Sequence, residues 1–346
     1  MVTTPTENNR VLLASRPEGE PTAENFRIET AAVPEPADGE VLLRTVYLSL
    51  DPYMRGRMSA AKSYAAPVEV GAVMEGGTVA EVVESRSPDL EPGDLVLSHL
   101  GWQEYGVQPA RHVRRLDPAR APISTAVGAL GMPGFTAYAG LLQIGRPQPG
   151  ETVVVAAATG PVGSMVGQIA KVKGARAVGI AGGPQKVAFL QELGFDVALD
   201  HRSPTFREDL KAAVPDGIDV YFENVGGHVW DAVLPRLNTY ARVPVCGLIA
   251  HYNATEAPEG PNRVPQLMQA ILTKSLTVRG FIQNEFVKEH YRGFQEEVSA
   301  WIREGRVAYK EDVVKGLENA PEAFFGLLRG ENFGKLLVQV GPDPTR

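Results

Sequence analysis

Cysteine is almost absent from this sequence, and several other features that would assign the chain to a familiar class are missing as well. Its 346 residues include one cysteine, Cys246, so neither an intrachain disulfide nor a thiolate cluster around a structural zinc ion can form. The six histidines lie far apart and show no H-x-x-x-H or H-E-x-x-H spacing. A catalytic metal site is therefore disfavoured.

Long apolar runs and clusters of basic residues are also missing. No stretch reaches the ~18 apolar residues of a membrane-spanning helix, and the first twenty residues lack the basic and apolar regions of a signal peptide. The formal net charge is -7, and no run of Lys and Arg provides the positive surface that nucleic acid requires. We expect a cytoplasmic protein that acts on small molecules and binds neither nucleic acid nor a membrane.

Two hydrophobic patterns divide the chain. Up to about residue 128, short β-branched runs alternate with turn sequences such as "ADG" at 37–39 and "EPGD" at 91–94, as in a small barrel or sandwich. From Gly150, helix-like stretches separate six apolar runs, at 153–157, 177–181, 196–199, 220–222, 242–246 and 276–281. This alternation predicts a doubly wound parallel sheet. Residues 285–305 have the spacing of an amphipathic helix, and "NFGKLLVQV" predicts a final strand that returns to the first part of the chain.

A nucleotide-binding fingerprint follows the first of the six runs. Residues 158–163, "ATGPVG", fit A-x-G-x-x-G between a strand and a helix, with Ala158 in the position of the first glycine. Gly160 allows the backbone to approach a pyrophosphate, Gly163 allows the helix to pack on the strand, and Gly167 would extend that packing. A strand–helix turn without a ligand is the alternative, and six strand–helix units weigh against it.

An acidic residue after the second run is a further feature that the sequence lacks. NAD-specific sites usually place Asp or Glu there to bind the ribose 2′-hydroxyl, whereas this chain reads "GIAGGPQK". Gly182 and Gly183 leave room for a 2′-phosphate and Lys186 can neutralise it, so the sequence favours NADP(H). The alternative is that Lys186 is a solvated helix residue.

Several segments together resemble one family. "LSLDPYMRGRM", "AAATGPVGSMVGQIAK", "GIAGGPQK", "YFENVGG", "CGLIAHYNAT", "RGFIQ" and "NFGKLLV" are similar to the zinc-independent medium-chain dehydrogenases/reductases. The most similar branch contains the prostaglandin reductases (leukotriene B4 dehydrogenases), the plant 2-alkenal double-bond reductases and bacterial curcumin reductase. The resemblance implies an α/β fold. A GroES-like β-barrel domain would span 1–128, completed by 311–346, and a Rossmann NADP-binding domain would span 129–310.

The resemblance also implies the residues of an NADP(H) site. Gly160, Pro161, Val162 and Gly163 would bind the pyrophosphate, Lys186 the 2′-phosphate and Asn224 the region near the ribose. Cys246, Gly247 and Tyr252 would line the ribose and nicotinamide side, Phe281, Ile282 and Gln283 would flank the carboxamide, and Asn332 would reach the cofactor from the C-terminal segment. Relatives commonly have Tyr beside the 2′-phosphate where this chain has His201, so His201 or Arg202 is the candidate for that contact.

The activity implied by the resemblance is reduction of a C=C bond conjugated to a carbonyl group. Hydride from NADPH would go to the β-carbon of an α,β-unsaturated ketone or aldehyde, and a hydrogen-bond donor would stabilise the enolate that forms. Tyr252 is the candidate donor, and Tyr53 is the second candidate catalytic residue, in the substrate pocket. One alternative is that Tyr252 only packs on the cofactor. Two alternative functions also stay open: a quinone oxidoreductase of the same superfamily and a non-catalytic NADPH-binding redox sensor.

The last apolar run of the sheet predicts self-association. In a monomer "SLTVRGFIQ", at 275–283, would be an exposed apolar edge strand, and relatives pair this strand across a two-fold axis. We expect a homodimer.

Overall fold

The chain forms two compact units in a computed structural model that describes residues 6–257 and 260–346. The first unit contains the residues up to Gly128 together with 311–332 and 336–346. The second contains 129–310 and the short piece 333–335. The C-terminal segment therefore belongs mainly to the first unit.

Antiparallel strands build the first part of the first unit. They are β1 (Glu7–Leu13), β2 (Phe26–Ala32), β3 (Glu40–Ser49), β4 (Thr78–Ser85), β5 (Leu95–Ser98), β6 (Tyr105–Pro109) and β7 (Arg114–Arg115), and the short helix α1 (Met54–Arg57) follows β3. β1 and β2 form a separate two-stranded sheet. The predicted turns at 37–39 and 91–94 are present, with Gly39 and Gly93 at φ values of 81° and 92°, a region that glycine adopts without strain.

Six parallel strands form the sheet of the second unit. They are β8 (Thr152–Ala156), β9 (Arg176–Ala181), β10 (Val197–Asp200), β11 (Ile218–Phe222), β12 (Leu237–Val245) and β13 (Thr277–Gly280). Their order across the sheet is β10-β9-β8-β11-β12-β13, and every neighbouring pair is parallel. Each predicted strand overlaps one of them, so the doubly wound sheet is confirmed. The order reverses between β8 and β11, and the carboxyl edge at that point is where such sheets bind ligands.

Helices flank these strands in the sequence. They are α2 (Met132–Ala139), which continues into a wider turn over Gly140–Gly145, α3 (Pro161–Val172), α4 (Pro184–Glu192), α5 (Phe206–Ala213), α6 (Gly227–Val233), α7 (Val264–Lys274) and α8 (Val287–Arg303). All of them except α7 bury at least one apolar side chain. The amphipathic helix predicted at 285–305 is confirmed by α8, which buries Phe294, Val298 and Trp301 at helical spacing. A Cβ on Gly167 would overlap the Phe195 ring, so this glycine does allow α3 to approach its neighbours closely.

The C-terminal segment packs mainly with the first unit. It contains β14 (Glu311–Lys315), α9 (Ala320–Leu328) and β15 (Lys335–Gln339). β15 pairs antiparallel with β3, with Leu337 opposite Ser49, in a seven-stranded sheet in which β6 also pairs with β3. None of the helices within 6–257 and 260–346 has both the length and the apolar character needed to span a bilayer.

Candidate functional site

The turn between β8 and α3 has the geometry of a phosphate-binding turn. Gly160 caps α3, and Pro161 takes the first helical position, where its missing N–H is not needed. A Cβ on Gly163 would overlap the Ala157 carbonyl oxygen and lie 2.7 Å from the Ala158 Cα, so only glycine fits against this turn. The first turn of a helix leaves N–H groups without intrahelical partners, and these, with the helix dipole, favour an anion.

The backbone of this turn is strained at a position that the fingerprint does not mark. Ala157 has a φ of 50°, in the left-handed region, whereas the sequence assigned the first glycine position to Ala158. A left-handed residue other than glycine costs roughly 1–2 kcal/mol. Its carbonyl oxygen accepts the N–H of Gly160 at 3.0 Å, which closes the turn. Strain of this kind is typical of ligand-binding turns.

Two loops lie side by side at the carboxyl ends of β11 and β12. The Cys246 N–H donates to the Glu223 carbonyl at 2.9 Å, and the Ile249 N–H donates to the Asn224 carbonyl at 3.2 Å. The Asn224 side chain donates from Nδ2 to the Ala156 carbonyl at 2.9 Å, at the end of β8. These bonds bring Asn224 and the loop that begins at Cys246 to the same edge of the sheet as the turn between β8 and α3.

A buried carboxylate organises the first of these loops. Glu223 Oε1 accepts the N–H groups of Val225 at 2.6 Å and Gly226 at 2.9 Å, as well as the Tyr221 hydroxyl at 3.1 Å. Burial raises the pKa of Glu223 above its usual range, and these hydrogen bonds oppose the rise. Nothing in the sequence pattern marked Glu223, because its role comes from backbone groups of its own loop.

Tyr252 follows a short helical turn in the second loop. Its hydroxyl accepts the Leu248 N–H at 3.4 Å, and a Cβ on Gly247 would lie only 3.0 Å from the Tyr252 Oη. Gly247 therefore lets the phenol lie against the backbone of the loop.

The same loop begins at Cys246. Burial, together with the charge of Glu223, raises the pKa of the Cys246 thiol to about 12, so the sulfur stays protonated and is a poor nucleophile.

A cluster of basic side chains surrounds the turn after β9. Its members are His201, Arg202, His228 and Lys186. A Cβ on Gly182 would lie 2.9 Å from both His201 Nε2 and Arg202 Nε. The sequence assigned the space above this glycine to a phosphate, but these two side chains take it, so Gly182 serves first to admit them. Gly183, at a φ of 93°, makes the turn itself.

An acidic residue shapes the same turn without facing outward. Asp200 Oδ1, at the end of β10, accepts the N–H groups of Gly183 at 3.0 Å and Arg202 at 2.9 Å. Burial of Asp200 opposes its ionisation, but these two bonds and the neighbouring positive charges lower the pKa of the carboxyl below its usual range. With its oxygen bonded to the backbone, Asp200 holds the loop that carries His201.

The residues predicted beside the carboxamide differ in exposure. The Phe281 ring is buried against Phe222, with ring centroids 6.2 Å apart, and packs so close to Gly140 that a Cβ there would overlap it. Ile282 is exposed, and the Gln283 amide bonds to its neighbour Asn284. In the structure described, Phe281 is therefore a core residue, whereas Ile282 is exposed and Gln283 is half-buried.

Tyr53 lies in the first unit, just before α1. The Arg57 guanidinium carbon lies 5.5 Å from the centroid of the Tyr53 ring and 4.4 Å from that of Tyr64, and Arg57 Nε pairs with Glu75 at 2.9 Å. Burial, with the negative charges of Asp51 and Glu75, raises the pKa of Tyr53 well above its ordinary value. Its hydroxyl therefore stays protonated. Asn332 is half-buried and also belongs to the first unit.

Comparisons with known proteins agree with this geometry. Residues 9–116 match a family model described as the N-terminal domain of oxidoreductase, and 161–300 match one described as zinc-binding dehydrogenase. The chain is 55% identical over 337 residues to the NADPH-dependent curcumin reductase of Escherichia coli, which covers 97% of this chain and 98% of the relative. It belongs to the zinc-independent medium-chain dehydrogenases/reductases, in the branch of the curcumin and prostaglandin reductases.

Two further relatives place this medium-chain reductase in the same branch. Prostaglandin reductase 1 of Mus musculus is 43% identical over 328 residues, 93% of this chain and 96% of the relative. The crystal structure of CurA from Vibrio vulnificus in complex with NADPH is 53% identical, with a TM-score of 0.94 over 97% of this chain and 100% of that one. The GroES-like and Rossmann architecture is thereby confirmed.

The second family model is named for zinc binding, but the described residues of this reductase contain no group of side chains that could bind zinc. Across 6–257 and 260–346, no three His, Cys, Asp or Glu side chains come close enough together to hold a metal ion.

Three residues of the candidate site were not predicted from the sequence: Glu223, His228 and the strained Ala157. Only Ala157 left a local signal, because it directly follows a buried strand and precedes the fingerprint.

Proposed function

We propose that this protein is an NADPH-dependent reductase of C=C bonds conjugated to a ketone or aldehyde. The observation that carries the proposal is its identity of 55%, along 97% of the chain, with a reductase named for NADPH and curcumin. Curcumin contains C=C bonds conjugated to carbonyl groups. The geometry of the second unit is compatible with binding of the cofactor and with stabilisation of the enolate.

The residues present fit the cofactor. Gly163 leaves no room for a side chain against the Ala157 carbonyl, which is what a pyrophosphate-binding turn requires. The N-terminus of α3 can hold the pyrophosphate, and the basic cluster of His201, Arg202 and Lys186 can hold the 2′-phosphate. When bound, NADPH supplies the hydride.

Two tyrosines are proposed to act on the substrate. Hydride addition to the β-carbon leaves negative charge on the carbonyl oxygen, and a phenolic hydroxyl that remains protonated can donate to that oxygen. We assign this role to Tyr252, whose hydroxyl accepts the Leu248 N–H and thereby becomes a better donor. Tyr53, whose raised pKa keeps its hydroxyl protonated, is assigned to substrate binding.

We further propose a homodimer formed through the edge of the parallel sheet. β13 is the last strand in the order, and all four of its residues are exposed. α7 has no buried residue along its length, and its exposed side chains include Val264, Met268 and Leu272, spaced by one helical turn. An apolar helix face beside a sheet edge supports pairing with a second copy of the same surface.

The activity is tested by incubating the purified protein with NADPH and, in parallel, an α,β-unsaturated ketone, an alkenal and a quinone. We expect NADPH consumption with the first two, the saturated ketone as the product, and full activity after treatment with a strong chelator. An allylic alcohol as the product would overturn the proposal, and so would activity that the chelator abolishes and zinc restores. Turnover of the quinone alone would favour a quinone oxidoreductase, and no turnover of any of the three would favour the redox sensor.

A further inference from the structure

Two histidines that are 27 residues apart in sequence meet beside the basic cluster. His201 Nδ1 lies 3.2 Å from His228 Nε2, and the same His228 nitrogen lies 3.3 Å from the His201 carbonyl oxygen. The ring centroids are 5.2 Å apart, and the buried Phe206 ring packs against His228 at 6.2 Å. His228 stands on α6, and no sequence motif includes it.

The two nitrogens of His201 face different groups. Nδ1 faces His228, whereas Nε2 lies over the turn after β9, 2.9 Å from where a Cβ of Gly182 would be. Arg202 Nε lies at the same distance from that point. Under the proposed function this turn is where the 2′-phosphate binds, so Nε2 is the nitrogen that would meet it.

The protonation of the pair follows from its acceptors. A neutral imidazole carries one N–H, and the other nitrogen can only accept. The His201 carbonyl oxygen is an acceptor, so His228 Nε2 avoids repulsion only when it carries the proton and donates. His201 Nδ1, facing that N–H, is then an acceptor too, and the proton of His201 resides on Nε2.

We propose that His228 is a positioning residue that holds His201 in the Nε2–H tautomer, with this N–H directed at the 2′-phosphate of the cofactor. The proposal rests on the proposed function, because the phosphate is the group that the N–H would bind. The reverse tautomer would direct a lone pair at an anion, and His228 excludes it. In metal sites, a hydrogen-bond partner orients a metal-binding histidine in the same way, because it fixes which ring nitrogen carries the proton.

The charges around the two histidines make the preference for NADPH over NADH depend on pH. The groups that face His201 are Asp200 and Arg202 beside it, Lys186 from α4 and His228 from α6. Burial, then His228 and Arg202, lower the pKa of His201, while Asp200 opposes them, so these surroundings favour the neutral ring in the free protein. A bound phosphate raises that pKa. Binding of NADPH therefore strengthens relative to NADH as the pH falls through the pKa of His201, and the gain is lost as the pH rises.

The test measures the dissociation constants of NADPH and NADH by calorimetry for the wild-type protein, His228→Ala and His228→Gln. We expect His228→Ala to weaken NADPH binding about fivefold, as for loss of one oriented hydrogen bond, and to leave NADH binding unchanged. His228→Gln keeps an N–H near the His201 carbonyl and should restore most of the affinity. Because His228 lowers the pKa of His201, His228→Ala should also move the pH dependence to higher pH. His112→Ala, at an exposed position in the first unit, is the control.

Two outcomes would overturn the role of His228. One is equal weakening of NADPH and NADH, which indicates a structural defect, and the other is an unchanged preference for NADPH. In a His201→Ala background, His228→Ala should have no further effect on the dissociation constant, since it acts only through His201. A wild-type protein that binds NADH as tightly as NADPH would instead overturn the cofactor assignment in the proposed function.

Discussion

Lys186 is the third residue of α4, and it is one of four basic side chains around the turn after β9. Its positive charge contributes to lowering the pKa of His201, which shows that the two groups share one electrostatic environment. Under the proposed function, the 2′-phosphate would meet several basic groups at this turn rather than one.

Replacing Lys186 with Ala is expected to weaken NADPH binding by about 1.5–3 kcal/mol, as for loss of a charge-assisted hydrogen bond. NADH, which lacks the 2′-phosphate, should be almost unaffected. Titration of each cofactor against the variant gives the two dissociation constants. Lys211→Ala, at an exposed position on α5, is the matched control. Equal losses for both cofactors would remove Lys186 from the phosphate site.

Tyr252 is the residue on which the proposed chemistry depends most. Tyr252→Phe removes the hydroxyl and keeps the ring, so kcat should fall roughly 10–1000-fold if the hydroxyl stabilises the enolate. The NADPH dissociation constant should change little, because the ring still packs in its loop. Steady-state kinetics with an enone and a binding titration separate the two quantities.

The control for this substitution is Tyr240→Phe, which removes a hydroxyl from a tyrosine that is 70% exposed on β12. It should behave as the wild-type protein does. An unchanged kcat for Tyr252→Phe would leave Tyr252 with a packing role only.

At the scale of elements, the end of the parallel sheet differs from the rest of the second unit. β8 is buried at every position, whereas β13 is exposed at every position. α7, which precedes β13, presents Leu272 with 80% of its surface exposed. Exposure of a whole edge strand beside an apolar helix face is unusual for a monomer, because such an edge promotes association.

Leu272→Lys places a charge in this face. We expect the wild-type protein to sediment as a dimer at micromolar concentration and the variant to shift toward the monomer, because a desolvated, unpaired charge opposes association. The thermal midpoint of each subunit should change little, since Leu272 is exposed within its own chain. Ile28→Lys on β2, also exposed, should leave the mass unchanged. A monomeric wild-type mass would rule out the dimer.

At the scale of the whole molecule, the C-terminal strand completes a unit that begins some three hundred residues earlier in the chain. β15 pairs with β3, and Leu337 is fully buried among Val46, Tyr47 and Val79. The Tyr47 hydroxyl also donates to Asp343 Oδ2 at 2.9 Å, beyond the end of β15. The first unit is therefore not complete without the last segment of the chain.

Leu337→Ala should lower the free energy of unfolding by about 2–5 kcal/mol, because it removes a buried side chain and leaves a cavity. Chemical denaturation followed by circular dichroism measures the change. The control is Val313→Ala on β14, where the side chain is 37% exposed and the loss should be much smaller. Equal losses at the two positions would show that β15 is not part of the core.

Three features could be predicted from the amino-acid sequence alone: the order of strands and helices, the glycine turn before α3 and the pairing of the C-terminal strand with the first part of the chain. These depend on local patterns: apolar runs of three to six residues, glycines at fixed offsets and the spacing of one helix face. The family resemblance added the reductase branch. The need for glycine at position 163 could be predicted, because it depends only on the short turn between β8 and α3.

The contacts between distant side chains could not be predicted in this way, because they depend on how the elements pack in the fold. His228 reaches His201 because α6 and the end of β10 come together in the fold, and no local pattern encodes a contact across 27 residues. The space at Gly182 is taken by His201 and Arg202 because Asp200 holds their loop over it through two backbone hydrogen bonds. The left-handed Ala157 belongs to the same class, since packing of α3 against the turn, rather than alanine's own preference, stabilises that backbone.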